Sequence, residues 1–269
     1  MRISISNIAW DPPEDEAVAE VLRAHGVAHI DVAPGKYFPD PTQASDTAVA
    51  EVRGAWADRG VTLYGMQSLL FGTQGFNLFG DDGRMLDRLK RIGDLAGRLG
   101  ISFLTFGSPK NRDRGDLSDA EVEAQATTFF RALGDSYADS GVVLCLEPNP
   151  VAYACNFMTT TSETAAMVRL IDHPAVRMQL DVGALALNGE APEDLIAANA
   201  DIIGHVHASE PQLVAIGEGG SEHDRAASAL RAHRPDKIVT IEMAAIAGPQ
   251  RDRVDRSIGR TIAAYGDAA

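Results

Sequence analysis

The chain has 269 residues, 45% of them hydrophobic, and a formal net charge of −14. That is enough apolar material to bury a full core, while the acidic balance argues against a nucleic-acid partner, whose phosphates call for clustered Lys and Arg. The only cysteines, Cys145 and Cys155, outline no disulfide framework. The N-terminus MRISISNIAW has no signal-peptide pattern, and no apolar run reaches membrane-spanning length, so the expectation is a cytoplasmic protein without a membrane partner.

In chain order, the first half offers four strand candidates: residues 2–8 (RISISNI), 27–33 (VAHIDVA), 61–69 (VTLYGMQSL) and 101–107 (ISFLTFG). Amphipathic stretches alternate with strands, at 14–26, 83–100 and 119–141 for example. Gly26, Gly60, Gly100 and Gly141 each fall just before the next strand, where a helix C-terminus wants a glycine. The stretch after the third strand, LLFGTQGFNLFG (69–80), carries Phe71, Phe76 and Phe79 among three glycines. It reads as a mobile lid, a dimer contact or a loop folded onto its own barrel.

The second half continues with VVLCLE (142–147), RMQLD (177–181), IIGHVH (202–207) and KIVTIE (237–242), separated by helix-compatible segments. Eight such units with no Pro- or Ser-rich linker predict an α/β protein, one (β/α)8 TIM barrel spanning 1–269. Each of these four strands ends on a residue able to bind a divalent metal: Glu147, Asp181, His207 and Glu242. Parallel neighbours put their carboxyl ends on one rim, so the four side chains can converge. Three carboxylates and one imidazole suit a hard ion such as Mn²⁺ or Mg²⁺. Two residues back from each, on the same side of the sheet, stand Cys145, Gln179, His205 and Thr240. Gln179 and His205 read equally as residues that orient the metal ligands and as hydrogen-bonded core groups.

Taken singly, each ligand has a competing reading. Glu147 and Glu242 could form structural salt bridges, Asp181 could cap a turn, and His207 could be a core histidine. Together they suggest a reaction: a metal chelating a carbonyl and an adjacent hydroxyl acidifies the hydrogen between them, and Glu147 and Glu242 could move that proton on opposite faces of a ketose. The loop GSPKNRDRG (107–115) brings Lys110, Arg112 and Arg114 to the same rim. They could grip a substrate phosphate or carboxylate, or pair with Asp113 and Asp116 on a solvated loop. Tyr37, Gln67, Asn149, Tyr153 and Glu210 lie just past strand ends and could line the pocket.

The motifs LEPNP, LDVG, HVHASE and IEM on the last four strands, with the eight-unit rhythm, give a chain that resembles the xylose isomerase-like (β/α)8 superfamily over its whole length, and within it the sugar phosphate isomerases and epimerases. The resemblance implies a divalent ion (Mn²⁺, Mg²⁺ or Co²⁺, with Zn²⁺ admitted) held by Glu147, Asp181, His207 and Glu242, with Glu147 and Glu242 as the acid/base pair. It implies a small sugar or sugar phosphate as partner; barrels of this kind often pair through rim loops, which allows a homo-oligomer. Where ketose 3-epimerases of this family carry a further Glu, a His and an Arg, this chain has Tyr153, Ala184 and Leu213, which puts the substrate in question more than the fold or metal. A keto-sugar or keto-inositol dehydratase and an inactive sugar-binding or assembly barrel remain open. The related three-zinc apurinic endonucleases need many histidines and a basic groove, which this chain lacks.

Overall fold

The computed structural model describes residues 1–266. Eight parallel strands follow one another around a closed barrel: β1 (Ile3–Ser6), β2 (His29–Val32), β3 (Thr62–Met66), β4 (Phe103–Phe106), β5 (Val143–Leu146), β6 (Val176–Asp181), β7 (Ile203–Ser209) and β8 (Val239–Glu242). β8 pairs back onto β1, with Ile3 opposite Val239 and Ile5 opposite Ile241, which closes the sheet. The helices are α1 (Asp15–Ala24), α2 (Asp46–Asp58), α3 (Arg84–Leu99), α4 (Asp119–Asp139), α5 (Thr161–Ile171), α6 (Val182–Asn188), α7 (Pro192–Asn199), α8 (His223–His233) and α9 (Arg251–Tyr265). None is long and apolar enough to cross a membrane.

Helices form where apolar residues recur at helical spacing and stop at glycine. On α3, Met85, Leu89, Ile92, Leu95, Ala96 and Leu99 are buried along one face, and Gly100 ends the helix in the left-handed region at φ 79°. The expected glycines Gly26, Gly60 and Gly141 take the same conformation. The apolar core lies between helices and barrel wall, where Ile5, Ile30, Leu104, Leu144, Leu180, Val206 and Ile241 are fully buried.

The barrel interior is different. Polar side chains occupy it where many barrels stack aliphatic layers: Ser4, Asp31, Thr105, Gln179, His205 and Thr240 are all buried. Each finds a polar partner inside the barrel, as buried polar groups must; for instance Thr105 Oγ1 donates to Gln179 Oε1 at 3.3 Å.

Two strands depart from the sequence reading: β3 ends at Met66, short of the expected 69, and β7 passes the expected 207. β7 runs on to Ser209 because Ala208 and Ser209 continue the ladder opposite Ile241 and Glu242, so His207 sits inside the strand. The loop after β3 folds mostly onto its own barrel. Leu69, Leu70, Leu78 and Phe79 are buried, and Phe79 meets Phe157 edge-on at 5.1 Å. Among the loop's large apolar side chains Phe71 alone stands out, 88% exposed.

Candidate metal centre and cavity

Glu147 follows the last residue of β5, Asp181 and Glu242 end β6 and β8, and His207 lies on β7. The barrel brings one ligand atom from each to within 4.8 Å of the others, and all four residues are buried. His207 Nδ1 lies 3.2 Å from Glu147 Oε1 and 3.4 Å from Glu242 Oε2. The far oxygen of each glutamate is held by an amide: Gln67 Nε2 donates to Glu242 Oε1 at 2.6 Å, and Asn149 Nδ2 to Glu147 Oε2 at 3.3 Å. Each glutamate thus presents one oxygen to the centre and has the other fixed at the wall. Asp181 both ends a strand and caps α6: its Oδ1 accepts from Ala184 N at 2.6 Å, and its Oδ2 from the Ser209 hydroxyl at 2.7 Å. The capping role and a place in the cluster therefore coexist in one residue.

The electrostatics call for a cation. Burial, then the charges of Glu147 and Glu242, push the Asp181 carboxyl up to about 8. Burial opposes a charged imidazole at His207, yet Glu242, Asp31 and Glu147 around it hold its proton well above the ordinary histidine range. Burial likewise opposes ionisation of Glu242, but His207 and Gln67 keep its carboxyl below the usual range. Buried carboxylates this close recruit protons unless something else neutralises them. A divalent ion would do so, and an oxygen-rich set with one imidazole fits Mn²⁺, Mg²⁺ or a similar hard ion.

Two adjoining lobes open above the cluster, of about 360 Å³ and 320 Å³, and both reach Glu147, Glu242, Gly107 and Leu213. Gln67 lines the first, Asn149 and Tyr153 the second, so these three stand where the sequence reading put them. Ser68, Gln212 and Leu213 line the lobes in the left-handed region, at φ 58°, 60° and 56°. Such backbone costs roughly 1–3 kcal/mol per residue and collects at functional sites. Phe71 and Phe106 add aromatic surface to the first lobe.

The rim cations do not form the expected grip. Arg112 turns inward and is fully buried; its Nη1 donates to the Glu147 carbonyl at 2.9 Å and its guanidinium lies 5.9 Å from the Phe106 ring centre. Arg114 pairs with Asp119 at 2.6 Å, not with Asp113 or Asp116, and Lys110 is exposed. None of the three lines either lobe. Glu210 borders the second lobe, but its oxygens face its own loop, accepting from Gly217 N at 2.5 Å and Ser221 N at 2.8 Å, with His223 Nε2 at 3.2 Å. Tyr37 lies apart from both lobes, its hydroxyl donating to Asp15. For Arg112, Arg114, Glu210 and Tyr37 the side-chain direction follows local partners.

Gln179 and His205 meet inside the barrel beneath the cluster, Gln179 Nε2 lying 3.3 Å from His205 Nδ1. The sequence reading missed Asp31, which sits behind both histidines, 2.9 Å from His205 Nε2 and 3.7 Å from His207 Nε2. Burial alone would raise its carboxyl, but the two rings hold it well below the ordinary range. The available signal was a carboxylate in the middle of the apolar strand VAHIDVA, costly there unless it meets donors.

A family model described as "Xylose isomerase-like TIM barrel" matches residues 19–262. No curated protein matches the sequence. Among solved structures, a D-psicose 3-epimerase crystallised with D-fructose superposes with a TM-score of 0.83 at 18% identity, over 99% of this chain and 100% of that one. The 3-keto-D-glucoside 4-epimerase from E. coli gives 0.77 at 16%, over 98% and 99%. A "probable 3-DHS dehydratase" involved in petrobactin synthesis from Bacillus anthracis gives 0.74 at 16%, over 96% and 98%. At these identities the likeness is one of fold.

Proposed function

Because the chain belongs to the xylose isomerase-like TIM-barrel family, we propose that it is a divalent-metal-dependent isomerase or epimerase of an uncharged keto-sugar. The observation that carries this reading is the pairing of Glu147 and Glu242 across His207, both bordering the cavity and each with one oxygen anchored by an amide. Glu147, Asp181, His207 and Glu242 would hold the ion, Mn²⁺, Mg²⁺ or Co²⁺ being the best match to the donors. A bound ion of this kind polarises a carbonyl and its neighbouring hydroxyl and so acidifies the hydrogen between them. One glutamate takes that proton from carbon to leave an enediolate, and the other returns a proton on the opposite face. Gln67 and Asn149 keep the two carboxylates from swinging away between the steps.

The walls support an uncharged substrate. No Lys, Arg or His among the described residues lines either lobe, whereas Glu147, Asp181, Glu210 and Glu242 do. A phosphate or carboxylate brought there would meet charge of its own sign. Tyr153, Ala184 and Leu213 all border the second lobe, so uncharged side chains stand where the resembling epimerases carry Glu, His and Arg.

The test is carbon-bound deuterium uptake in heavy water, with Mn²⁺-loaded protein and a panel of keto-sugars and their phosphate esters. Uptake next to the carbonyl of an uncharged keto-sugar is expected, falling at least about 10²-fold in Glu147→Gln and in Glu242→Gln. Uptake confined to phosphate esters would overturn the uncharged substrate. Formation of a product lacking the elements of water, by expulsion of a β-hydroxyl from the substrate, would move the assignment to a lyase. Sugar binding without exchange on any member would leave a binding barrel.

A further inference from the structure

His207 is strung between two sets of carboxylates. Its Nδ1 faces Glu147 and Glu242, while its Nε2 points back into the barrel, buried and without a hydrogen-bond partner, toward Asp31 Oδ2 at 3.7 Å. That distance makes the contact electrostatic and not a hydrogen bond. Asp31 is hydrogen-bonded through Oδ1, while its buried Oδ2 lies beside both histidine rings without a hydrogen-bond partner. Its Oδ1 accepts from Ser4 Oγ at 3.5 Å and Thr240 Oγ1 at 3.4 Å, and a side chain on Gly65 would overlap its carboxylate.

Proton placement around it is consistent along the whole chain of contacts. The Thr105 hydroxyl donates to Gln179 Oε1, which turns the Gln179 amide N–H toward His205 Nδ1. His205 then carries its proton on Nε2, 2.9 Å from Asp31. A neutral imidazole has one N–H; both nitrogens of His207 face carboxylates, Nδ1 the nearer pair, so it is a cation held among those carboxylates that would take the Nδ1 lone pair and leave the single proton on Nε2, toward Asp31. We infer that Asp31 is a positioning residue that fixes His207 as the Nε2–H tautomer and so presents an unprotonated Nδ1 to the cation. His205, held by Gln179, sets the direction of the Asp31 carboxylate. The inference rests on the reading of Glu147, Asp181, His207 and Glu242 as metal ligands, and its test separates the two.

The test is Mn²⁺ titration, with free ion followed by electron paramagnetic resonance, on wild type, Asp31→Asn and His207→Ala. One ion per chain is expected in wild type, with affinity lowered about 10- to 100-fold in Asp31→Asn and also weakened in His207→Ala. Ring-¹⁵N histidine spectra of the Zn²⁺-loaded wild type add a readout that needs no folded variant: the metal-bound histidine should carry its proton on Nε2. Asp31→Asn binding within twofold of wild type, or a proton on Nδ1, overturns the positioning role while leaving the ligand set standing. Two ions per chain, one lost in Asp31→Asn, would make Asp31 a ligand and overturn it as well. No binding in wild type removes both readings together.

Discussion

A carboxylate that must reach a substrate carbon is placed no better than the backbone beneath it allows. Glu147 Oε2 lies against the backbone of Gly107, and a Cβ built there would overlap it. Gly107→Ala therefore forces the glutamate aside. Displacement of order 1 Å in a reacting group is worth about 10²-fold in rate, while overpacking of this sort destabilises by about 1–3 kcal/mol. Deuterium exchange in the alanine variant should fall by about that factor at saturating Mn²⁺, with a thermal melt showing the chain still folded; unchanged exchange would mean that Glu147 has no such positional demand. At this scale the sequence was readable where chain position determines side-chain position. Glu147, Asp181 and Glu242 sit at strand ends, and strand ends of a parallel barrel share a rim. Arg112 and Glu210 are long side chains on loops, free to turn, and the Glu147 carbonyl and the Gly217 and Ser221 N–H groups decided their direction. Asp31 escaped notice because one carboxylate inside a strand does not announce which donors will surround it.

The loop from β7 to α8 is tied together by one titrating side chain, Glu210. Burial opposes ionisation of Glu210, but His223 and the N–H groups of Ser221 and Gly217 outweigh it and hold the carboxyl at about 2, against 4.5 ordinarily. A folded-state pKa below the unfolded one stabilises fully above pH 4.5, and the gain is lost as pH falls from 4.5 toward about 2. Glu210→Gln should cost about 2–3 kcal/mol in urea unfolding at pH 7, and the gap from wild type should close through that acid window. A gap that persists unchanged at pH 2 would assign the loss to packing. Elements themselves were legible to within a residue or two, because alternating apolar strands and helix-ending glycines are local signals. β3 was the exception, stopping at Met66 where the sequence reading ran to 69; the last two residues of β7 are fixed by pairing with β8, which no local pattern reports.

Over the whole molecule, a chain of net charge −14 folds so that four acidic groups border one cavity, three of them in the candidate metal cluster. The barrel and the convergence of the cluster could be anticipated from order along the chain. The cavity walls were legible only in part: Gln67, Asn149 and Tyr153 follow from their places just past strand ends, whereas Ser68 and Gln212 reach the lobes only through the fold. If the cluster binds a cation, that binding is linked to folding, because the unfolded chain offers no preformed site. At a free Mn²⁺ concentration of about 100 times Kd the gain is about 2.7 kcal/mol, which for a chain of this size raises Tm by about 5–10 °C. General screening of the net charge would also raise Tm, so the comparison must be made at matched ionic strength and against Asp181→Asn and His207→Ala. A shift present in wild type and absent in both variants places the stabilisation at the four-residue centre; an equal shift in all three proteins assigns it to the overall charge and leaves the cluster without a metal.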